Sequence, residues 1–299
     1  MPVDPTDAGT ALAGNESVAR AVILAAGGGV RLNGAIGDEP KCLMRLGGIP
    51  ILERQVQALR AAGVDEIAVV IGCRADRVRH TLGTCVQYVE NSRFAQTNSL
   101  YSLWLARPLL ADGFVVVNCD VLFHQQLLTD LLTARFDAAA VVAFTACALT
   151  DEDMKVRVRR GRIVEFSKQM PAEEADGENV GLLKFGTAAA RALVRHMDRL
   201  VAAGHTRDWA PRAFGEFARE HALHAIGTRG YPWIEVDFPG DYARACDEIL
   251  PAIERTPPSL PAARPLRVGQ APAASARSER WPVPAADSVE EEAPASIAE

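Results

Sequence analysis

Residues 21–46 read AVILAAGGGVRLNGAIGDEPKCLMRL, and this stretch decides the fold. The apolar run Val22, Ile23, Leu24 breaks into Gly27, Gly28 and Gly29, with Arg31 and the pair Pro40–Lys41 behind them. An apolar run closed by glycine reads as a buried strand that ends in a loop. Residues without a Cβ let backbone N–H groups approach an anion closely, and two cations within reach neutralise phosphate charge. The dinucleotide fingerprint G-x-G-x-x-G is absent, because Leu32 stands where the third glycine is needed. The P-loop G-K-[ST] is absent too. What remains is L-A-A-G-x-G-x-R-L, then P-K at 40–41.

Working outward, apolar strand patterns alternate with amphipathic helical ones. Strands are expected at Ile67–Ile71, Val86–Val89, Phe114–Val117 and Ala138–Phe144. Helices are expected at Ile51–Ala62, Ala75–Leu82, Ser99–Leu110 and Gln125–Ala134. Near-continuous apolar strands separated by helices argue for a mostly parallel sheet covered on both faces. The pattern then changes. Met154–Val158 and Arg162–Phe166 flank Arg159-Arg160-Gly161 as a hairpin, amphipathic stretches follow at 187–202 and 209–220, and Tyr231–Phe238 reads as a last strand. The expectation is an α/β sandwich with a small mixed-sheet substrate lobe.

Composition narrows the function classes. A 299-residue chain with 48% hydrophobic content can bury one large core or two modest ones. A net charge of −6, with no basic block interleaved with aromatics, argues against nucleic-acid binding. Cys42, Cys73, Cys85, Cys119, Cys147 and Cys246 show no C-x-x-C spacing and read as reduced, mostly buried thiols. Residues 1–17 are polar and acidic, without the apolar core of a signal peptide, and read as a flexible arm. No apolar run approaches a membrane span, so a cytoplasmic protein is expected. From 255 to 299 the chain turns rich in Pro, Ala and Ser and ends in an acidic cluster. Such composition reads as a disordered tail dispensable for chemistry, with Trp281 a lone aromatic in it. The folded domain is therefore expected over 18–254.

Ligands of open α/β sheets collect at the carboxyl ends of strands. The glycine loop follows the first strand, Asp120 ends FVVVNCD, and Asp237 ends WIEVD. Two carboxylates from separate strand ends beside a phosphate loop suit Mg²⁺, which takes a few hard oxygen ligands and leaves room for phosphates. Each aspartate alone also fits a helix cap or a turn. Glu235 alternates with Asp237 and should face the same way, as a second ligand or a substrate contact.

Seven ordered motifs between about Arg20 and Leu250 carry a resemblance. They are LAAGGGVRL (24–32), PKCL (40–43), TNSLYSLWLA (97–106), VVVNCDVLF (115–123), DEDMKVRV (151–158), GENVGLLKF (177–185) and PWIEVDFPGDYARA (232–245). The chain resembles phosphocholine cytidylyltransferase-type enzymes of the nucleotidyltransferase superfamily, which have a GT-A-like, Rossmann-related fold. The resemblance implies transfer of CMP from CTP to a small phosphate monoester or phosphonate, with release of pyrophosphate. Leu24, Ala25, Ala26 and Gly27 to Gly29 would cradle the nucleotide, and Arg31 and Lys41 would hold the leaving pyrophosphate. Thr97, Asn98 and Ser99 occupy the place where relatives read the base, although Asn-Ser also fits a helix cap. Asp120 and Asp237 would bind Mg²⁺. Lys155 and Lys168 would neutralise the acceptor or be plain solvated hairpin lysines, and Glu178 and Asn179 would contact the acceptor.

The acceptor stays open among phosphocholine, 2-aminoethylphosphonate and an anionic phosphonate such as phosphonoformate. Trp209, Tyr231, Trp233 and Tyr101 could cage a quaternary ammonium or simply pack in the core. After Asp120, relatives tend to read Leu-Phe-Asp, where this chain has Leu122-Phe123-His124, which points to His124 as a contact for an anionic or neutral acceptor. Arg207 and His205 could add positive charge if the 204–209 loop folds over the site. His80, His196, His205, His221 and His224 follow no metal spacing. The partners expected are CTP and the acceptor, with no nucleic acid, no membrane and room for a homodimer. A sugar-1-phosphate nucleotidyltransferase is the enzyme alternative, and a non-catalytic nucleotide-binding regulator the alternative of another class.

Overall fold

The computed structural model describes residues 18, 20–29, 32, 39–144 and 149–258. Arg31, Cys147, Trp281, the arm at 1–17 and residues 259–299 lie outside the described residues. In chain order, β1 (Arg20–Ala25) leads through the glycine loop to a short 3-10 turn at Lys41–Leu43, then β2 (Arg45–Leu46), β3 (Ile49–Pro50) and α1 (Ile51–Ala61). Next come β4 (Glu66–Ile71), α2 (Ala75–Leu82), β5 (Gln87–Glu90) and α3 (Ser99–Leu105), then β6 (Phe114–Asn118), β7 (Val121–Phe123), α4 (Gln125–Thr133) and β8 (Ala138–Ala143). The remainder is β9 (Lys155–Arg159), β10 (Arg162–Ser167), β11 (Gly177–Phe185), α5 (Thr187–Ala202), α6 (Pro211–Glu220), β12 (His224–Gly227), β13 (Trp233–Glu235), α7 (Pro239–Arg244) and α8 (Leu250–Arg255).

The α/β fold read from the alternation is present as three layers. Side chains on successive strand residues point to opposite faces. Val22 and Leu24 of β1, Val70 of β4 and Val116 of β6 accordingly pack with α3, α5 and α6. Ile23, Val69 and Val117 on the same strands pack with α1, α2 and α4. Both faces are buried, so the strands carry no polar alternation, and this is why they read as unbroken apolar runs.

One nine-stranded sheet runs β5-β4-β1-β6-β11-β8-β12-β10-β9. Its first half is parallel, and β11 enters antiparallel to both β6 and β8. The β9–β10 hairpin forms the far edge of this sheet, joined to it because β12 lies parallel to β8 and pairs with β10. Two strands of this sheet were not foreseen. β11 is interrupted by Gly181 at φ +84°, and β12 is only four residues long. Beyond the main sheet, β13 pairs antiparallel with β7, bringing Glu235 opposite Val121. A third apolar cluster (Leu32, Met44, Leu122, Ile234 and Leu250 among its members) joins this pair to the C-terminal helices. Helix α8 runs one residue past the expected domain end, and the Thr256 carbonyl still bonds His124. No helix among the described residues is long and apolar enough to cross a membrane.

Candidate active site

At the carboxyl ends of β1 and β6 lies a cleft of about 360 Å³. Leu24, Ala26, Gly27 and Gly29 form one wall, Thr97, Asn98 and Ser99 a second, and Asp120, Glu235 and Asp237 a third. Gly29 has φ +63°, and a Cβ there would come within 2.6 Å of the Lys41 Cβ. The position therefore needs glycine twice over, for its backbone and for the close passage of Lys41. Ala25 is buried and Gly28 backs onto Cys73, so neither lines the cleft.

The acidic wall follows from the β7–β13 pairing. The Val236 N–H donates to the Asp120 carbonyl at 3.0 Å, which locks the two aspartate-bearing segments in register. Asp241 secures the other side by accepting from the N–H groups of Asp237 and Phe238. One carboxylate oxygen each from Asp120, Glu235 and Asp237 lies within 4.8 Å of the others. Burial, then Asp120 and Asp237, push the Glu235 carboxyl well above the ordinary carboxylate range. Asp120 Oδ1 is buried without a hydrogen-bond partner. Crowded carboxylates and an orphaned oxygen suit a hard divalent cation, so the residues fit Mg²⁺.

Lys41 sits between the two aspartates, donating to Asp120 Oδ2 at 2.8 Å and to Asp237 Oδ1. Burial alone would pull its ammonium down, but the charges of Asp120 and Asp237 more than offset it and hold it above lysine's ordinary value.

Sequence reasoning missed Gln55, a buried residue of α1. Its Nε2 donates to the carbonyls of Asn118 and Val121, both at 2.8 Å, bracketing the turn that carries Asp120. Both partners are acceptors, which fixes the orientation of the amide. Helical periodicity gave no signal, since a glutamine on the apolar stripe of a helix reads as a lapse in the pattern. Gln55→Leu keeps the volume and strands both carbonyls, so a stability loss of about 2 kcal/mol is expected. Turnover should fall about 10-fold and half-maximal Mg²⁺ should rise, as a misplaced first ligand requires. Denaturant melts and Mg²⁺ titrations of rate check this. A stability loss with unchanged Mg²⁺ dependence would leave Gln55 a merely structural residue.

The wall at 97–99 is both lining and scaffold. Asn98 caps α3 by accepting from the Ser99 N–H, the Thr97 hydroxyl donates to the Arg93 carbonyl, and Ser99 Oγ accepts from the Ala210 N–H. Asn91, also missed, braces this wall through bonds of 3.0 Å each to Thr97 Oγ1 and Ser102 Oγ. The 204–209 loop lies against it, with the Thr206 carbonyl accepting from the Asn98 N–H and Arg207 donating to the Gln96 carbonyl. His205 in that loop pairs with Asp208.

At the far end Lys168, Asn179, Glu152 and Trp209 line the cleft. Lys155 is no solvated hairpin lysine. It is buried and donates to the Lys168 carbonyl at 2.7 Å, behind the lining. Glu178 lies within electrostatic reach of Asp153, Asp237, Lys155 and Lys168.

Two expected acceptor residues are placed elsewhere. His124 caps α4: Nδ1 accepts from the Gln126 N–H, Nε2 bonds the Thr256 carbonyl at 2.8 Å, and the ring stacks on Tyr231. Both nitrogens are spent, so no atom is left for an acceptor. Trp233 packs against the core on the α1 side and does not line the cleft. Away from the cleft, His196, Glu220 and His221 gather without any spacing that announced it, but Arg199 already bonds His196 Nδ1 and pairs with Glu220.

Comparison with known proteins gives concordant findings. The family model of the MobA-like NTP transferase domain matches residues 21–210. The bifunctional IPC transferase and DIPP synthase of Rubrobacter xylanophilus is 34% identical over 242 residues, 79% of this chain and 53% of that protein. This chain thus spans about half the length of that relative. The CTP:phosphoglutamine cytidylyltransferase of Campylobacter jejuni is 29% identical over 55% of this chain and 72% of its own. Among solved structures, the inositol-1-phosphate CTP transferase from T. maritima superposes with a TM-score of 0.64 at 21% identity, covering 80% of this chain and 97% of that one. At that identity the superposition speaks for the fold alone.

Proposed function

This chain belongs to the MobA-like NTP transferase domain family, and from that premise we propose that it is a Mg²⁺-dependent cytidylyltransferase. It moves CMP from CTP to a small phosphate monoester or phosphonate and releases pyrophosphate. The observation that carries the reading is the juxtaposition of the glycine loop with Lys41, Asp120, Glu235 and Asp237 across one cleft. A nucleotide-binding regulator has no need of a half-buried acidic trio that suits a metal. CTP rather than another nucleotide rests on the relatives whose printed activities are cytidylyl transfers.

An oxyanion on the acceptor's phosphorus attacks the α-phosphorus of CTP in line. A new P–O bond forms as the bond to the β-phosphate oxygen breaks, and the electron pair leaves with pyrophosphate. The nucleophile is already ionised, so no base is needed, and the protein's task is positioning and charge stabilisation. Asp120, Asp237 and Glu235 would hold Mg²⁺, which when bound supplies neutralising charge to the phosphates. Lys41 lies where the leaving pyrophosphate needs a cation. Arg31, as the resemblance implies, adds a second. Backbone N–H groups of the glycine loop approach the nucleotide, and Lys168 neutralises the incoming acceptor. CTP is an intracellular nucleotide, so the reading implies a cytoplasmic enzyme.

Pyrophosphate release with Mg²⁺ and each nucleoside triphosphate, over an acceptor panel including glucose 1-phosphate, tests the reading. Release with CTP and a small phosphate or phosphonate is expected. Release confined to glucose 1-phosphate would replace the reading with sugar-nucleotide synthesis, and none with any pair would leave a regulator.

A further inference from the structure

Of the large apolar side chains that stand exposed, Phe94 and Trp209 line the cleft. The face of Trp209 is engaged, since the Lys168 ammonium lies 4.9 Å from its ring centroid. Phe94 is 37% exposed, and among the described residues no ring or cation is stacked on it.

The turn that carries Phe94 is held firmly. Asn91, itself buried, accepts from the Arg93 N–H through Oδ1 and from the Phe94 N–H through its carbonyl at 3.2 Å. Its own N–H donates to the Ile71 carbonyl at the end of β4, and its side-chain amide donates to Thr97 and Ser102. Against the Phe94 stem lies Gly72. A Cβ there would come within 2.7 Å of the Phe94 Cβ and 2.8 Å of the Ala26 carbonyl oxygen. Glycine at 72 is what lets Phe94 and the loop after β1 pack over one spot.

These contacts order the cleft along the glycine loop. Phe94 stands at the Ala26 end, whereas Lys41 passes against Gly29, three residues on. A free aromatic face at one end and an ammonium at the other match the two ends of a nucleotide, a flat base and a charged phosphate chain. Base edges hydrogen-bond, but base faces are apolar and stack on aromatic rings.

We infer that Phe94 is the platform on which the nucleobase of the incoming nucleoside triphosphate stacks. The inference rests on the cytidylyl-transfer reading only in taking a nucleotide as the ligand of this cleft. Every base has a face that stacks, so the ring supplies affinity for CTP without choosing it over UTP. That choice is left to the polar wall at 97–99.

The test is calorimetric titration of the full chain, with Mg²⁺ and no acceptor, by CTP, UTP or inorganic tripolyphosphate. Phe94→Ala is expected to weaken CTP and UTP alike by about 10-fold, the scale of one lost base–aromatic stack. Tripolyphosphate has no base and should bind as it does to the unaltered chain. Phe94→Leu keeps Gly72 covered and should still lose nucleotide affinity several-fold, whereas Phe94→Tyr should retain it. Equal weakening of tripolyphosphate would mean that Phe94 only props the glycine loop, and unchanged CTP affinity would place the base elsewhere. Either result overturns the platform, and a loss confined to one nucleotide overturns its indifference to the base. Phe94-dependent nucleotide binding in a chain that transfers CMP to no acceptor would overturn cytidylyl transfer and leave the platform standing.

Discussion

Asparagine in place of Asp120 or of Asp237 is expected to lower pyrophosphate release by about 10³-fold, equivalent to some 4 kcal/mol of transition-state stabilisation. Asparagine keeps the shape and one oxygen but removes the charge that a hard cation requires. The fold should survive. Both side chains stand at strand ends and are partly solvated, at 18% and 26% exposed, and each variant leaves Lys41 one carboxylate partner. The backbone bonds that set the pair, from Val236 to Asp120 and from Asp237 to Asp241, do not involve the replaced carboxylate charges of Asp120 and Asp237. Tm should therefore move by a few degrees at most, on the usual scale of about 1 kcal/mol. A coupled pyrophosphate assay, a melting curve and Mg²⁺ calorimetry on the same preparations decide the matter. Near-wild-type rates in both variants would refute the metal assignment, and collapse of the melting transition would mean the two aspartates are structural first.

The central strands were legible because each is buried on both faces and so spells an unbroken apolar word, as Val115–Val117 and Val69–Ile71 do. The strand β12 was not legible for the opposite reason. His224–Gly227 is half-buried throughout, short, and recognisable only by its pairing with β8 and β10. Asp120 and Asp237 could be picked from sequence because a carboxylate ending an apolar strand stands out against its neighbours. Gln55 and Asn91 could not, since their roles are made by main-chain carbonyls and hydroxyls distant in sequence. His124 shows the opposite error. A departure from a family pattern looked like a change of specificity, and the fold spends both of its ring nitrogens on a helix cap and a C-terminal carbonyl. A local pattern can reveal an unusual residue type, but only tertiary contacts reveal whether its polar atoms are free.

Lys41→Met is expected to act in two directions at once. The ammonium of Lys41 lies between the same two carboxylates that suit Mg²⁺. A lysine so placed competes with a divalent cation for Asp120 and Asp237. Its removal leaves three neighbouring carboxylates with less compensating charge, so divalent-ion affinity measured by calorimetry should rise by about 10-fold, the scale of a close charge interaction in a partly buried site. Turnover should nonetheless fall by about 10²-fold to 10³-fold, because in the proposed reaction the Lys41 ammonium would meet the leaving pyrophosphate. Gly29 supports this second role: the glycine at φ +63° lets the Lys41 stem pass against the loop that would hold the phosphates. The two readouts separate the possibilities. Tighter metal binding with lost turnover is the signature of a lysine that changes partners when the cation arrives. Unchanged metal affinity with lost turnover would mean that ammonium and cation sit side by side. Tighter binding with retained turnover would confine Lys41 to neutralising the acidic wall, and the cation at the pyrophosphate would have to come from another residue.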